Sequence, residues 1–269
     1  MESHEIPNEI GVLPLRNSVL FPHAIMPSQV GRPKTLNLLD DVVRDSKLIA
    51  VVSQRNPSDE DPDPSGMYRV GTAARILKVV KLSGNSVNLI IQGVRRIRVD
   101  RFVSTEPFLK AAVVALDEIV EEGVELEASV RSLINQFQRL SKGSQTISPD
   151  LAEMVLSAGA GDPERLSDLA ASVLQVSIEE KIGLLERNNV NDRDNKLIEY
   201  VTRESELHEI SKKIQSQVAD EVGKTQRQYY LREQMKAIQK ELGEDDDRTV
   251  ELDEFRRKVE EANMPEEAR

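Results

Sequence analysis

The sequence predicts an α+β protein: an N-terminal β-rich lobe with one helix, followed by an α-helical bundle and a very long projecting helix. Up to about residue 118, apolar residues form short runs or alternate with polar ones, which is typical of strands. From about residue 121 the apolar spacing becomes three and four, and helix-capping signals appear. Residues 190–242 then contain no proline, which predicts one long helix.

Apolar runs and alternation indicate the strands of the β-rich lobe. The segments are residues 12–15, 48–52, 75–81, 87–91, 95–103 and 110–116. Residues 83–86, Ser-Gly-Asn-Ser, predict a hairpin turn because Gly and Asn tolerate positive φ. Pro33 is suited to the first position of the one helix in this lobe, and Leu36, Leu39 and Val42 follow at helical spacing. Segment 55–66, which is rich in Asp and Pro, predicts an exposed loop.

Capping residues predict the starts of three helices in the bundle. Ser148 and Asp162 each precede a proline, so each can cap a helix whose first residue is that proline. Ser177 and Glu180 have the spacing of a capping box, in which each side chain accepts a hydrogen bond from a free backbone N–H.

The long helix carries an apolar stripe that predicts a partner. Its main members are Leu207, Ile214, Val218, Leu231, Met235, Ile238 and Leu242. About fifty residues at about 1.5 Å per residue span roughly 75 Å, which is more than a domain of this size can bury. We expect the stripe to serve oligomerisation or coupling. Gly243 ends this helix, residues 244–247 form an acidic linker, and a further helical segment follows at 250–262.

The composition excludes several kinds of chemistry. The chain has no cysteine, so disulfides, thiolate metal sites and cysteine nucleophiles are excluded. The three histidines show no metal-binding spacing. Gly223-Lys224-Thr225 resembles the end of a phosphate-binding loop, but Val218 stands where that loop needs glycine. We therefore expect no catalytic site, metal or cofactor in this chain.

Charge and hydropathy limit the partners and the location. A net charge of -11 argues against nucleic acid as the main partner. Residues 68–101 are nevertheless basic. Arg96 and Arg98 share one face of a predicted strand, and together with Arg95 they could contact phosphates. The other interpretation is a solvated strand face that discourages edge pairing. The polar N-terminus and the lack of a long apolar stretch predict no membrane span and a cytoplasmic location.

One set of apolar residues is a candidate binding surface for unfolded protein. It lies in segments predicted to be irregular and comprises Phe21, Pro22, Ile25, Met26, Pro27, Met67 and Tyr68. Proline stiffens the chain and methionine adapts to many apolar partners, so such a patch suits varied sequences. We expect Pro22, Met26 and Met67 to be exposed, whereas Phe21 and Ile25 could equally fill the core.

Several segments resemble the Lon protease family. LPLRN at 13–17 with VLFP at 19–22 is similar to the opening of its N-terminal domains, and IQGVRR at 91–96 to a later β-hairpin segment. QYYLREQMKAIQKELG at 228–243 is similar to the family's long-helix signature almost residue for residue. MPEEA at 264–268 resembles the start of its ATPase domain.

The resemblance implies a division of the chain and a set of partners. It implies a Lon N-terminal lobe at 1–118, a helical bundle with the long helix at 119–243, and a linker and helix at 244–269. Beyond them would follow an AAA+ motor using ATP and Mg and a Ser–Lys protease, which make the full-length protein an ATP-dependent serine endopeptidase. That family assembles hexameric rings, and this region helps to select damaged or tagged proteins.

We therefore predict a non-catalytic region that recognises unfolded or damaged proteins, supports ring assembly and passes substrates to the downstream motor. Two alternatives stay open at this point. One is a purely structural region that oligomerises and spaces the ring, and the other is a nucleic-acid-binding module that uses the basic strands at 68–101.

Overall fold

The computed structural model describes residues 6–43, 47–81, 86–144, 146–241 and 244–262. The chain divides into two compact units, Met1–His208 and Glu209–Arg269. The predicted turn at 83–86 lies largely outside the described residues, as does Leu242 of the predicted stripe.

Six strands build the N-terminal lobe. They are β1 (Glu9–Leu15), β2 (Ile25–Val30), β3 (Leu48–Ser53), β4 (Val70–Lys81), β5 (Val87–Ser104) and β6 (Lys110–Ala115). Their order is β2-β5-β4-β3-β1-β6, and β5 also pairs with β6, so five of the strands close into a small barrel. β1 and β3 are parallel, and the other pairs are antiparallel. β2 is left outside the ring, on the first half of β5.

β5 is long because the strands predicted at 87–91 and 95–103 are one continuous strand with a bulge between them. Ala73 pairs with Arg95 and Ala74 with Gly93, which leaves Val94 as the extra residue. A bulge resets the alternation of side chains, which is why the pattern suggested separate strands at 87–91 and 95–103. The first half of β5 pairs with β2 and the second half with β6.

Seven helices lie within the described residues, and three of them begin where the capping residues predicted. They are α1 (Pro33–Val42), α2 (Val124–Gly143), α3 (Pro149–Ala158), α4 (Pro163–Val173), α5 (Ile178–Leu185), α6 (Val190–Glu241) and α7 (Glu244–Glu261). Ser148 caps α3, Asp162 caps α4, and Ser177 with Glu180 forms the capping box of α5. Short 3₁₀ turns occupy Pro64–Gly66 and Gly159–Gly161.

The prediction of a flexible linker at 244–247 is wrong, because these residues are helical. These residues lie in the first turn of α7, which begins at Glu244. Acidic side chains at a helix N-terminus interact favourably with the helix dipole, so a run of Glu and Asp that suggests a flexible linker also suits a helix start. No helix in the ranges that the structure describes combines the length and the apolar character needed to cross a bilayer.

Two apolar clusters form the core of the first unit. Alternate residues of the barrel strands, such as Val12, Ala50 and Ile97, fill one cluster together with Met67. The opposite side of the sheet, including Leu13 and Ile91, belongs to a larger cluster that also contains Phe21 and continues into α2, α4, α5 and the start of α6. The sheet and the helical bundle therefore share one core within this unit.

Candidate functional site

The predicted apolar patch is only partly at the surface. Ile25 is 56% exposed and Pro27 is also exposed, whereas Met26 is half-buried and packs against the core. Phe21, Pro22 and Met67 are buried, so the expected exposure of Pro22 and Met67 is wrong. Phe21 fills the core, and Ile25 does not.

Gly93 explains why the segment at 21–24 is buried. His23 N–H donates to the Gly93 carbonyl at 3.0 Å, and Gly93 N–H donates to the Ala24 carbonyl at 2.9 Å. A Cβ on Gly93 would lie 2.1 Å from the Phe21 carbonyl oxygen, so only glycine permits this close approach. The prolines that suggested an exposed segment instead belong to a turn packed on β5, in which His23 adopts a positive φ of 63°.

Met67 and Tyr68 are separate from this region. They lie just before the start of β4, where Val70 pairs with Arg98 in the second half of β5. β2, in contrast, pairs with the first half of β5, from Val87 to Gln92. Met67 lies among the barrel residues because an isolated bridge to Gln54 folds it inward. Tyr68 is half-buried, and the Arg55 guanidinium stacks 4.6 Å from its ring centre. Burial, followed by the charge of Glu179, raises the pKa of Tyr68.

A different apolar surface emerges from the strand register. Ile90 of β5 pairs with Pro27 of β2 on one side and with Lys78 of β4 on the other. Two residues before Ile90 on β5, Asn88 pairs with Gln29 of β2 and Val80 of β4. Two residues after it, Gln92 pairs with Ile25 of β2 and Arg75 of β4. These residues share one side of the sheet, because side chains on paired positions point the same way.

We name this surface the outer sheet face and define it by its five apolar members. They are Ile25, Pro27, Leu77, Val80 and Ile90. Ile25, Leu77 and Val80 are 56%, 48% and 39% exposed. Leu77 is the extra residue of a second bulge, because Ile76 pairs with Ile91 and Lys78 pairs with the next residue, Ile90. Polar residues are interleaved with the apolar ones: Lys78 lies in the same row as Ile90, and Gln92 lies between Ile25 and Arg75.

Sequence reasoning missed three of these five residues. The alternation from Val87 to Gln92 contained a usable signal, since Ile90 occupies a position between Asn88 and Gln92 where a polar residue is expected. Leu77 and Val80 could not be found in this way, because the bulge breaks the alternation of β4.

Arg96, which we expected on a solvated face, lies in a buried ion cluster. We define the cluster as Arg96, Glu118, Asp168 and Arg193. Arg96 Nη1 donates to Asp168 Oδ2 at 3.0 Å and also pairs with Glu118, while Arg96 Nε donates to the Leu185 carbonyl at 3.3 Å. Arg193 Nη2 donates to Glu118 Oε2 at 2.8 Å.

The cluster satisfies its own charges. Burial raises the pKa of Asp168 against the pull of the two guanidiniums. Burial alone would lower the pKa of Arg193, but Asp168 and Glu118 outweigh burial and raise it. Arg96 is fully enclosed, Arg95 pairs with Asp117, and Arg98 stays exposed. Arg96, the central residue of the nucleic-acid alternative, is therefore not accessible to phosphates, because it lies in the contact between β5 and the helices.

The apolar stripe of α6 is exposed along its described length. Leu207, Ile210, Ile214, Val218, Val222, Leu231, Met235 and Ile238 are each between 51% and 62% exposed. Such a row at helical spacing is a surface suited to a partner helix.

The first unit thus combines a small barrel, a helical bundle and a sheet face with exposed apolar side chains. The family model for the substrate-binding domain of ATP-dependent protease La (Lon) matches residues 9–203. The Lon protease of Dictyoglomus thermophilum is 41% identical over 269 residues, which cover 99% of this chain and 33% of that protein. The Lon protease of Syntrophomonas wolfei is 37% identical over 267 residues, covering 99% of this chain and 33% of that protein.

A solved structure supports the fold. The N-terminal domain of the Mycobacterium avium complex Lon protease superposes with a TM-score of 0.56 at 18% identity, covering 72% of this chain and 98% of that one. The chain belongs to the family of Lon substrate-binding domains. It spans about a third of the length of the curated Lon proteases that it matches.

Proposed function

We propose that this chain recognises unfolded or damaged proteins through the outer sheet face and contributes no bond-breaking chemistry itself. The observation that carries the proposal is the cluster of Ile25, Leu77 and Val80, which stay 39–56% exposed on a sheet whose other side is core. Exposed apolar side chains that converge on one surface mark interaction sites. The family's substrate-binding description supports the same role.

The chemistry of the face suits clients that share no sequence. A folded protein buries its large apolar side chains, whereas an unfolded one presents them, so apolar contact separates the two states. Fully burying one large apolar side chain contributes about 1.5–3 kcal/mol. Members of the face are already half-buried, so several contacts must act together to give useful affinity. Repeated copies in a ring would raise the effective concentration of such weak sites.

The remainder of the proposal concerns the longer protein. The curated relatives are Lon proteases about three times as long as this chain. We propose that a downstream AAA+ motor and a Ser–Lys protease, which would use ATP and Mg, receive the bound substrate, and that the assembly is a cytoplasmic hexamer. The exposed stripe on α6 would pair with neighbouring subunits or couple this region to the motor.

The test is a pair of substitutions on the outer sheet face. Changing Ile25→Asp and Leu77→Asp together should weaken binding to an unfolded protein by at least about tenfold, the equivalent of about 1.4 kcal/mol. Both side chains are exposed, so the free energy of unfolding should change little. Fluorescence titration measures the binding, and urea unfolding measures the stability.

A matched control has the same chemistry elsewhere on the barrel. Val103 and Val114 are 44% and 47% exposed on β5 and β6. Val103→Asp with Val114→Asp should leave binding within about twofold of the unaltered chain. Equal losses in the two double variants would show that the outer sheet face is not the contact surface.

A further inference from the structure

A cleft of about 900 Å³ lies in the first unit between the end of β1, the edge strand β2 and the start of α1. Residues 27–30 of β2 form one wall, and loop residues 60–62 form part of the rim. The volume falls within the range of about 300–1,000 Å³ that is usual for ligand sites. Three cations line it: Arg16, Arg32 and Lys34.

Two carboxylates beside the cleft pair with Lys34, and Glu60 also lines the cleft. Lys34 Nζ lies 2.8 Å from Asp61 Oδ2 and 3.1 Å from Glu106 Oε1. In contrast, within the part of the chain that the structure describes, no carboxylate oxygen lies within 4.0 Å of the guanidinium of Arg16 or Arg32. Two arginines in one cleft are therefore without a carboxylate partner.

Arg32 shows this lack of compensation most clearly. Its Nη2 donates to Gln54 Oε1 at 3.1 Å and to the Asp59 carbonyl at 3.2 Å. Its Nη1 is buried and has no acceptor among the described residues. Burial and then the positive charge of Arg16 lower the pKa of Arg32, and the nearby carboxylates of Asp59, Asp61 and Glu60 only partly oppose them. The two guanidiniums are thus close enough to repel each other, and an anion beside them would relieve the repulsion.

We infer that this cleft binds an extended peptide segment by a carboxylate, held by Arg16 and Arg32. The inference rests on the proposed function and names a substrate class within it: unfolded segments with an acidic side chain or a free C-terminus. Guanidinium and carboxylate groups match in shape and form charge-assisted hydrogen bonds. Arg16 is exposed and would make the first contact. β2 lies at the edge of the sheet, so its residues at the cleft wall can also meet an extended chain.

Three fluorescein-labelled heptapeptides test the inference on the whole chain. One has a central Glu and an amidated C-terminus, the second has Gln in place of that Glu, and the third is the Gln peptide with a free C-terminal carboxylate. Fluorescence anisotropy measures the dissociation constant of each. At least one carboxylate peptide should bind about fivefold or more tightly than the amidated Gln peptide, the equivalent of about 1 kcal/mol for a partly exposed ion pair. Which one does so identifies the source of the carboxylate.

Substitutions assign the effect to the cleft. Arg16→Gln should remove the preference for the carboxylate peptide, and Arg16→Glu should reverse it, while binding of the amidated Gln peptide stays unchanged. Arg98→Gln is the matched control, because Arg98 is exposed on the barrel outside the cleft. It should preserve the preference.

Two results separate the failure of the inference from that of the proposed function. If unfolded protein binds through the outer sheet face but all three peptides bind equally, only the inference is overturned. An equal loss of preference in Arg16→Gln and Arg98→Gln would also overturn it. If neither peptides nor unfolded protein bind the chain, the proposed function fails and the inference fails with it.

Discussion

At the scale of single residues, Asp194 is a buried acid whose negative charge conflicts with its surroundings. It is buried on α6, its Oδ1 accepts a hydrogen bond from the Ser167 hydroxyl, and its Oδ2 has no partner among the described residues. Burial raises its pKa from 3.8 to about 6, although Ser167 and Arg193 act in the opposite direction. The folded protein therefore holds this proton over a pH range in which the unfolded chain has lost it.

This proton makes stability fall as pH rises through that range. Between about pH 4 and pH 6 the folded state binds more protons than the unfolded state, so each step upward favours unfolding. Asp194→Asn removes the effect. Relative to the unaltered chain, the variant should gain up to about 3 kcal/mol in the free energy of unfolding between pH 4 and pH 7.

Urea unfolding at the two pH values measures the difference. Asp220→Asn on the same helix is exposed and serves as the control, with no comparable gain expected. A pH-independent difference between Asp194→Asn and the unaltered chain would contradict this description of the site.

At the scale of secondary-structure elements, the buried ion cluster joins a strand to the helices. Arg96 on β5 reaches Asp168 on α4, and Arg193 on α6 reaches both Asp168 and Glu118. Removing one partner leaves an uncompensated buried charge, which typically costs about 3–5 kcal/mol. Arg96→Met should therefore destabilise the chain by about that amount.

The exposed Arg98 on the same strand provides the comparison. Arg98→Met should change the free energy of unfolding by less than about 0.5 kcal/mol. Similar losses from the two substitutions in urea unfolding would mean that the cluster does not stabilise the contact between β5 and the helices.

The elements also show which sequence signals were reliable. Helix starts were predictable because Ser148, Asp162 and Ser177 act locally, on backbone N–H groups three residues away. Burial at Arg96 and Pro22 was not predictable, because it depends on elements distant in sequence. Arg96 is covered by helices that follow it by about seventy residues or more. Pro22 is buried because its turn packs against Gly93 on β5. Two of the five residues of the candidate site, Ile25 and Pro27, were predicted from the sequence, whereas Leu77, Val80 and Ile90 required the structure.

At the scale of the whole molecule, the stripe on α6 predicts self-association. Ile214 and Val218 are each 54% exposed one helical turn apart. Replacing both by Lys should lower the average mass in sedimentation velocity, because like charges would face each other across a helix pair. The control replaces Lys213 and Gln217, which are also exposed on α6, by Ala. If the unaltered chain is a monomer at all concentrations, the stripe does not serve association within this region.

In our proposal, the outer sheet face, the cleft and the stripe are three binding surfaces of this chain. The polar cluster around Arg96 is internally paired, whereas we propose that the one around Arg16 holds a ligand. The chain's apolar surfaces lie on a sheet and on a helix, where many partners can be accommodated without a fixed sequence.

The most direct measurement compares one protein in two states. A stable small domain and a core-destabilised variant of it, unfolded at the same temperature, are each titrated into the chain at equal ionic strength. We predict that the unfolded form binds at least about tenfold more tightly and that Ile25→Asp with Leu77→Asp removes the difference. Equal affinity for the two forms, or binding of the folded form alone, would contradict recognition through exposed apolar contact.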